Sequence, residues 1–254
     1  MPKKTDTRPR HQQIAADLRA QIMSGELEPG QRLPTTQQLM DRYDVTGQTV
    51  QRTLGVLKAE GFVTGRAGVG VFVRDESPLA ITPAAYLPQS RNGESYRWMS
   101  QARARSQRGS SRLLFVGESV PPRAIAEALG IAIDEPVIER HQILSLDDEP
   151  AELVWNFYPM SIARGTPLER KVKIRGGAPT LLAELGHPPR EHTDQVSVRL
   201  ATTEEFVALE LPDDVPVLRT LRVVHSDDAR PVEASILVKG GHRYELTYRS
   251  PIDH

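Results

Sequence analysis

The fold of the N-terminal part of the chain is decided by residues 45–73, which read VTGQTVQRTLGVLKAEGFVTGRAGVGVFV. Val50, Leu54 and Leu57 are spaced four and three residues apart, so they share one apolar face of a predicted helix. Thr46 precedes this helix and can cap its first backbone N–H groups. The other side of the helix carries Gly47, Gln48, Gln51 and Arg52.

A β-hairpin is predicted directly after this helix. Residues 61–64 read as a strand, residues 65–68 as a turn, and residues 69–73 as a returning strand. The tip carries Arg66 and two glycines. Because the tip is short of bulky side chains, it can approach a sugar-phosphate backbone or a minor groove closely.

Two further helices are predicted upstream of this stretch. Apolar residues recur every four positions over residues 11–24, which predicts an amphipathic helix. The next helix begins near Thr35, which can cap it, and ends around Arg42. A short turn with Val45 buried leads into the third helix. Two helices joined by a short turn, the second polar at its exposed start, are typical of a helix-turn-helix.

This N-terminal part resembles the GntR family of winged helix-turn-helix regulators over residues 11–73. The matching residues are Ile14, Ala15, Leu18, Arg19, Ile22, Gly25, Leu27, Pro29, Gly30, Leu33, Pro34, Thr35, Leu39, Val45, Thr46, Thr49, Val50, Leu54, Leu57, Glu60, Gly61 and residues 68–73. The resemblance implies that the third helix enters the major groove of DNA and that the hairpin, or wing, touches the flanking minor groove. A small helical domain for protein contacts is the alternative.

Side-chain chemistry predicts roles within that frame. Gln48 and Gln51 can hydrogen-bond base edges, most naturally those of adenine, and Arg52 can contact guanine or a phosphate. Short threonine hydroxyls near helix starts suit phosphate oxygens. Gln37, Gly47 and Gln51 stand where family members often carry arginine, which predicts a shallower salt dependence of DNA binding. The predicted DNA-binding residues are Thr35, Gln37, Thr46, Gln48, Thr49, Gln51, Arg52, Arg66, Gly68 and Gly70.

The 254 residues divide into a basic N-terminal part and an acidic C-terminal part. Residues 1–74 carry 11 Lys and Arg against 7 Asp and Glu, whereas residues 75–254 carry 21 against 26. Such an asymmetry suits a head that binds a polyanion. The absence of cysteine excludes disulfides and thiolate zinc sites, and it fits a cytoplasmic protein. No apolar run reaches the ~18 residues of a membrane span, so no membrane association is expected.

The C-terminal part is predicted to be an α+β domain at residues 94–254, joined to a DNA-binding domain at 1–74 by a proline-interrupted linker at 75–93. Helices are predicted at 94–107, 121–129 and 180–185, and another begins at Thr203. Strands are predicted at 111–120, 136–146, 151–158, 193–201, 217–225, 231–238 and 244–248.

This part resembles the UTRA effector domain of HutC-type GntR regulators, whose fold is shared with chorismate lyase. Matching residues include Arg140, Glu149, Pro150, Tyr158, Pro159, Asp194, Arg199, Glu204, Glu205, Arg222, Pro231 and Glu233. The resemblance implies a pocket for a small effector. The predicted effector-binding residues are Arg140, Trp155, Tyr158, Arg199 and Glu233.

The sequence leaves the chemistry of the predicted effector open. Buried arginine favours a carboxylate or phosphate, and buried glutamate favours hydroxyls or amines. Val154 stands where sugar-phosphate binders of the family carry an acid, which disfavours a phosphosugar. The neighbouring Trp155 and Tyr158 suggest a more apolar ligand, although aromatic residues on a strand are also typical of a core. For Arg199, a structural ion pair is an equal alternative.

Together these features predict a homodimeric repressor that binds an inverted repeat in double-stranded DNA and is released by a small effector. One alternative is a DNA-binding repressor whose C-terminal domain only dimerises. A remote alternative is a chorismate-lyase-like enzyme. No cofactor or metal is expected, because the seven histidines form no set with metal-ligand spacing and no nucleotide-binding motif is present.

Overall fold

The computed structural model describes residues 6–74, 79–81, 97–104, 106–242 and 244–248. The chain divides into two compact units, Met1–Leu79 and Ala80–His254. The predicted linker falls largely outside the described residues, although its residues Leu79–Ile81 form a strand, β3.

The N-terminal unit consists of three helices followed by a two-stranded hairpin, as the sequence predicts. Its elements are α1 (Arg10–Met23), α2 (Thr36–Tyr43), α3 (Gly47–Ala59), β1 (Val63–Arg66) and β2 (Gly70–Val73). The helices pack around a core of Ile14, Ala15, Leu18, Leu27, Leu33, Leu39, Val50, Leu54, Leu57, Phe62, Val63 and Val73. Val45, predicted to be buried, is half-buried and packs against this core.

The first strand of the wing begins later than predicted, at Val63 instead of Gly61. Gly61 has a φ of 79° and donates its N–H to the carbonyl of Lys58, so it belongs to the turn that ends α3. A left-handed residue at this point is typical of a helix end. The strand consequently extends through Gly65 and Arg66, and Arg66 lies at the end of a strand and not in the turn.

The C-terminal unit is built on a six-stranded antiparallel sheet in the order β4-β5-β6-β9-β8-β7. Its strands are β4 (Gly109–Ser119), β5 (Val137–Leu146), β6 (Glu149–Pro159), β7 (Glu191–Leu200), β8 (Pro216–His225) and β9 (Pro231–Gly240), and β10 (Tyr244–Leu246) pairs with β3. Its helices are α4 (Arg97–Ala104), α5 (Arg123–Leu129), α6 (Met160–Ala163), α7 (Ala178–Glu184) and α8 (Thr203–Ala208). Helices and antiparallel strands together confirm the predicted α+β class.

The two faces of this sheet are covered by different elements. On one face, Ile125 and Leu129 of α5 pack against Phe157 of β6 and Ala234 of β9. The opposite face packs against α6 and α7 through a cluster that includes Ile138, Tyr158, Ile162, Leu168, Leu182 and Val224. We call these the α5 face and the α7 face. Because successive side chains of a strand alternate between faces, strand register decides which polar residues can meet.

Candidate nucleic-acid interface and effector site

The exposed side of α3 carries three polar side chains that the packing of the domain does not use. Gln48, Gln51 and Arg52 are all exposed. Within residues 6–74, none of the three side chains makes a hydrogen bond or an ion pair. Val50, Leu54 and Leu57 on the opposite side hold the helix to the core and fix its orientation in the domain. The exposed side is therefore a rigid polar surface suited to reading base edges.

The predicted threonines cap the two helices of the helix-turn-helix. Thr46 accepts a hydrogen bond from the backbone N–H of Thr49 at 3.4 Å. Thr35 accepts from the N–H of Gln38 at 3.3 Å, and the Gln38 amide oxygen accepts from the N–H of Thr35 at 2.8 Å, which completes a capping box. These bonds fix the helix starts. The predicted phosphate contacts of Thr35, Thr46 and Thr49 stay predictions. The predicted DNA contact of Gln37, which donates to Asp41 at 2.8 Å, stays a prediction as well.

The wing presents Arg66 and two glycines with positive φ angles. The guanidinium of Arg66 lies over the ring of Phe72, 4.4 Å from its centroid. Gly68 has a φ of 70° and Gly70 a φ of 143°, conformations that residues with a side chain adopt rarely. The stacking holds Arg66 beside the hairpin strands, so its charge is placed on the wing itself.

In the C-terminal unit, strand register assembles a polar row across the α7 face. Arg140 pairs with Asn156, Asn156 with Ser235, Ser235 with Arg222, and Arg222 with Asp194. We call these five residues the polar row. Tyr158 and Glu233 lie two positions along their strands from Asn156 and Ser235, on the same face. The structure thus brings together three of the predicted effector residues, namely Arg140, Tyr158 and Glu233.

At one end of the polar row, Arg140 is held by main-chain carbonyls. Its guanidinium donates to the carbonyl oxygens of Leu168 at 2.8 Å, Arg170 at 2.8 Å and Val172 at 2.7 Å. Burial lowers the pKa of Arg140 from its usual value. The segment that follows α6 is therefore tied to the sheet by Arg140, and Nζ of Lys171 in that segment also donates to the Leu114 carbonyl of β4 at 3.1 Å. The three carbonyls therefore occupy N–H groups of Arg140 that an anionic effector would need.

The middle of the row is a hydrogen-bonded cluster around Ser235. Its hydroxyl lies 2.8 Å from Oε1 of Glu233 and 2.9 Å from Oδ1 of Asn156. Burial raises the pKa of the Glu233 carboxyl, and hydrogen bonds from Ser235 and Tyr158 offset this only in part. A protonated Glu233 could donate to Ser235 while Ser235 donates to Asn156, which satisfies the geometry because a hydroxyl carries a single proton.

At the other end of the row, Arg222 and Asp194 form a buried ion pair. Two parallel hydrogen bonds of 2.7 Å run from the guanidinium to the carboxylate. The side chains are 9% and 4% exposed, so each charge is neutralised by the other out of contact with water. Burial, and then the nearby Arg222, lowers the pKa of His192, whose Nε2 lies 3.7 Å from Asp194.

Two of the predicted effector residues, Trp155 and Arg199, lie on the α5 face, so the structure does not bring them to the polar row. Trp155 pairs with His141 across the strands, and their rings stack with centroids 4.3 Å apart. Arg199 donates to Glu205 at 2.6 and 2.7 Å and so supports the capping box at the start of α8. This geometry matches the structural ion pair that the sequence left open for Arg199.

The sequence did not single out four members of the polar row, Asn156, Asp194, Arg222 and Ser235, as site residues. Asp194 and Arg222 were noticed only as part of the family resemblance. Their grouping depends on which residues face each other on neighbouring strands, and the β-bulge between Val224 and His225 contributes to that alignment. A period-two pattern within one strand shows alternation but does not show register with a neighbouring strand. No signal in a single sequence could have aligned the five residues.

A helix-turn-helix with a wing, joined to an α+β domain that buries a polar row, defines a two-domain DNA-binding regulator. The family model described as bacterial regulatory proteins, gntR family, matches residues 10–73, and the model described as UTRA domain matches residues 104–245. The chain therefore belongs to the GntR family and carries a UTRA domain in its C-terminal part.

Similar proteins extend over nearly the whole chain. An HTH-type transcriptional regulator of Streptomyces coelicolor is 25% identical over 247 residues, which cover 94% of this chain and 92% of that protein. A probable fructoselysine utilization operon transcriptional repressor of Escherichia coli K12 is 23% identical over 243 residues, covering 93% and 94%. The crystal structure of a GntR-family transcriptional regulator is 26% identical, with a TM-score of 0.60, and covers 97% of this chain and 99% of that one.

These comparisons identify a transcription regulator and not an enzyme, so the chorismate-lyase-like activity considered above is set aside. Among the helices that the structure describes, none is long and apolar enough to cross a membrane.

Proposed function

We propose that the protein is a homodimeric repressor that binds an inverted-repeat operator through α3 and the wing, and that a small effector bound at the polar row releases it. The observation that carries the DNA-binding half is the exposed trio of Gln48, Gln51 and Arg52 on a helix fixed by its buried face. A glutamine amide can donate to and accept from adenine in the major groove, a pairing that discriminates against the wrong base by about 1–3 kcal/mol.

The test of this proposal is the double variant Gln48→Ala, Gln51→Ala. An operator is first selected from random DNA duplexes with the wild-type protein, and affinities for operator and random duplex are then measured by fluorescence anisotropy. We expect the double variant to lose most of the discrimination between the two duplexes while it still binds both. Gln21→Ala, on α1, is the matched control and keeps the wild-type ratio. Unchanged discrimination by the double variant would contradict the assignment.

The homodimer is supported by an exposed apolar strip on the edge strand β7. Val196, Val198 and Leu200 are 41%, 65% and 70% exposed, and β7 is an edge strand that pairs only with β8 among the strands that the structure describes. An edge strand with unsatisfied main-chain groups and apolar side chains is suited to pairing with another strand. A second copy of the chain fits this strip, because an inverted repeat requires a two-fold arrangement of the protein.

The effector site is supported by the concentration of charged and polar groups in the polar row. Ligand sites place a few polar groups together to fix the orientation of the ligand, so the polar row is the part of the sheet that suits an effector. A carboxylate-bearing effector would match Arg140, and its hydroxyl or amine groups would match Glu233. We place the protein in the cytoplasm, where such a repressor meets both DNA and effector.

A second candidate is a repressor whose C-terminal domain only dimerises. The observation in its favour is that the charged groups of the row already have protein partners: Arg140 binds carbonyls, and Arg222 binds Asp194. A thermal-shift screen with small carboxylates, amines and amino acids separates the two. A ligand at 100 times its Kd raises the free energy of unfolding by about 2.7 kcal/mol. A screen that finds such a ligand rejects the second candidate.

A further inference from the structure

A cleft along the wing, which reaches the turn between its strands, gathers three cations in the N-terminal unit. It has a volume of about 570 Å³, and Arg32, Lys58 and Arg66 line it together with the backbone of the wing. Arg32 precedes α2, Lys58 belongs to the last turn of α3, and Arg66 ends β1. Segments distant in sequence thus direct positive side chains to one place.

Glycines allow two of these cations to lie against the wing. A Cβ atom at Gly70 would lie 2.7 Å from Nε of Arg32, and a Cβ atom at Gly65 would lie 3.2 Å from Nζ of Lys58. Both distances are shorter than ordinary van der Waals contact, so the charged groups occupy space that a side chain would fill. Arg66 is held by its stacking on Phe72. The three charges are therefore positioned by the fold.

Among the residues that the structure describes, no carboxylate forms an ion pair with these three side chains. Across residues 6–74, the ion pairs formed are Arg8 with Asp6 and Arg19 with Glu60, and neither involves the cleft. Arg32, Lys58 and Arg66 are all exposed, so water solvates them. Three like charges around one cleft repel one another, and a bound anion removes that repulsion.

We propose that this cleft binds a phosphate of the DNA backbone beside the operator, and that it contributes to the sequence-independent affinity. The inference rests on the proposed DNA-binding function and assigns to it residues that the sequence did not single out, Arg32 and Lys58. The exposed side of α3 from Gly47 to Arg52 reads bases with glutamines and carries Arg52 as its cation. In this proposal α3 contacts the bases and gives sequence specificity, whereas the cleft contacts the sugar-phosphate backbone.

The test measures Kd against KCl concentration for wild type and for Arg32→Ala, Lys58→Ala and the double variant, on the operator and on random duplex. Losing one phosphate contact reduces the slope of log K against log salt by about 0.9, so the weakening of binding between about 50 and about 200 mM KCl becomes about 3.5-fold smaller when the cleft no longer holds its phosphate. We expect this change on both duplexes, with the ratio of their affinities kept. The charge-conserving variants Arg32→Lys and Lys58→Arg are the controls and keep a slope near that of wild type.

The outcomes separate this inference from the proposed function. Wild-type slopes in both alanine variants, with operator binding intact, overturn the phosphate site and leave the repressor assignment standing. A slope change confined to the operator also overturns the phosphate site, because a contact with the DNA backbone does not depend on base sequence. Failure of the wild-type protein to bind any duplex overturns the DNA-binding function, and the phosphate site with it. Far-UV circular dichroism of each variant verifies that the fold is retained.

Discussion

At the scale of single residues, His141 makes the stability of the C-terminal unit depend on pH. The residue is 8% exposed and stacks on Trp155, and its Nε2 is buried with no hydrogen-bond partner among the described residues. Burial lowers the pKa of His141 to about 4. The ordinary value is about 6.5, so the unfolded chain takes up the proton first as the pH falls. The neutral ring therefore contributes stability above pH ~6.5 that is lost as the pH approaches ~4.

We expect His141→Phe to flatten the dependence of stability on pH. The wild type should lose at most about 3 kcal/mol of unfolding free energy through this histidine between pH ~6.5 and ~4, and the variant should not. Phenylalanine keeps the aromatic contact with Trp155. Urea midpoints followed by circular dichroism at pH 7, 6 and 5 make the measurement, and His187→Asn is the control. Parallel pH profiles for wild type and His141→Phe would rule out this role.

How far single residues could be predicted depended on whether their partners were local. The caps Thr35 and Thr46 followed from the sequence, because each bonds an N–H three residues away. Arg140 was predicted as an effector ligand, yet its partners lie 28 to 32 residues ahead in an irregular segment. Trp155 and Arg199 were grouped with it because they are aromatic or charged, and only strand register shows that they face the other way.

At the scale of elements, glycine has opposite roles in α3 and in the wing. Gly55 lies inside α3, exposed, and a Cβ atom there would have no neighbour within 4 Å. Gly70 opens β2 with a φ of 143°, and a Cβ atom there would meet Arg32. The same substitution should therefore strengthen one element and distort the other.

We expect Gly55→Ala to raise the free energy of unfolding of the N-terminal unit by about 0.5–1 kcal/mol, because alanine orders a helix at less entropic cost. Gly70→Ala should lower that free energy and weaken DNA binding, because it strains the wing and displaces Arg32. Chemical denaturation and fluorescence anisotropy measure the two effects, and each variant serves as the other's control. A Gly70→Ala protein as stable as wild type would show that the wing tolerates the strain.

Element types were predictable where one period persisted over a whole segment. The helices over residues 10–23 and 47–59 and the long strands of the sheet matched their patterns closely. Boundaries moved where a glycine served an adjoining turn, as Gly61 does at the end of α3. The strand order of the sheet, with β9 beside β6 and β7 at the edge, depends on pairings between distant segments and could not be obtained from local patterns.

At the scale of the whole molecule, the proposed two-fold assembly can be tested at the exposed edge of β7. Val198 is 65% exposed there, and its α7-face neighbours Val196 and Leu200 are exposed as well. We expect Val198→Asp to weaken self-association, because it places a charge in an apolar contact. Val120→Asp is the matched control, since Val120 is also 65% exposed but follows β4 at the opposite edge.

Sedimentation velocity over a range of protein concentrations measures this effect. Wild type and Val120→Asp should sediment as dimers at concentrations where Val198→Asp is mainly a monomer. The Val198→Asp protein should also bind the operator less tightly, because two half-sites would no longer be engaged by one particle. An undiminished dimer in Val198→Asp would place the two-fold contact elsewhere on the chain.

The polar row also has a consequence for proton balance. It holds two guanidinium groups, Arg140 and Arg222, and the carboxylate of Asp194, and next to it lies the titratable carboxyl of Glu233, whose pKa is already raised by burial. If an anionic effector binds at the polar row as proposed, its negative charge disfavours ionisation of the neighbouring Glu233 and so favours the protonated carboxyl. By linkage, effector binding would favour proton uptake by Glu233, and a lower pH would favour effector binding. A regulator of this kind would sense the concentration of an acid metabolite and the pH of its surroundings as a single combined signal.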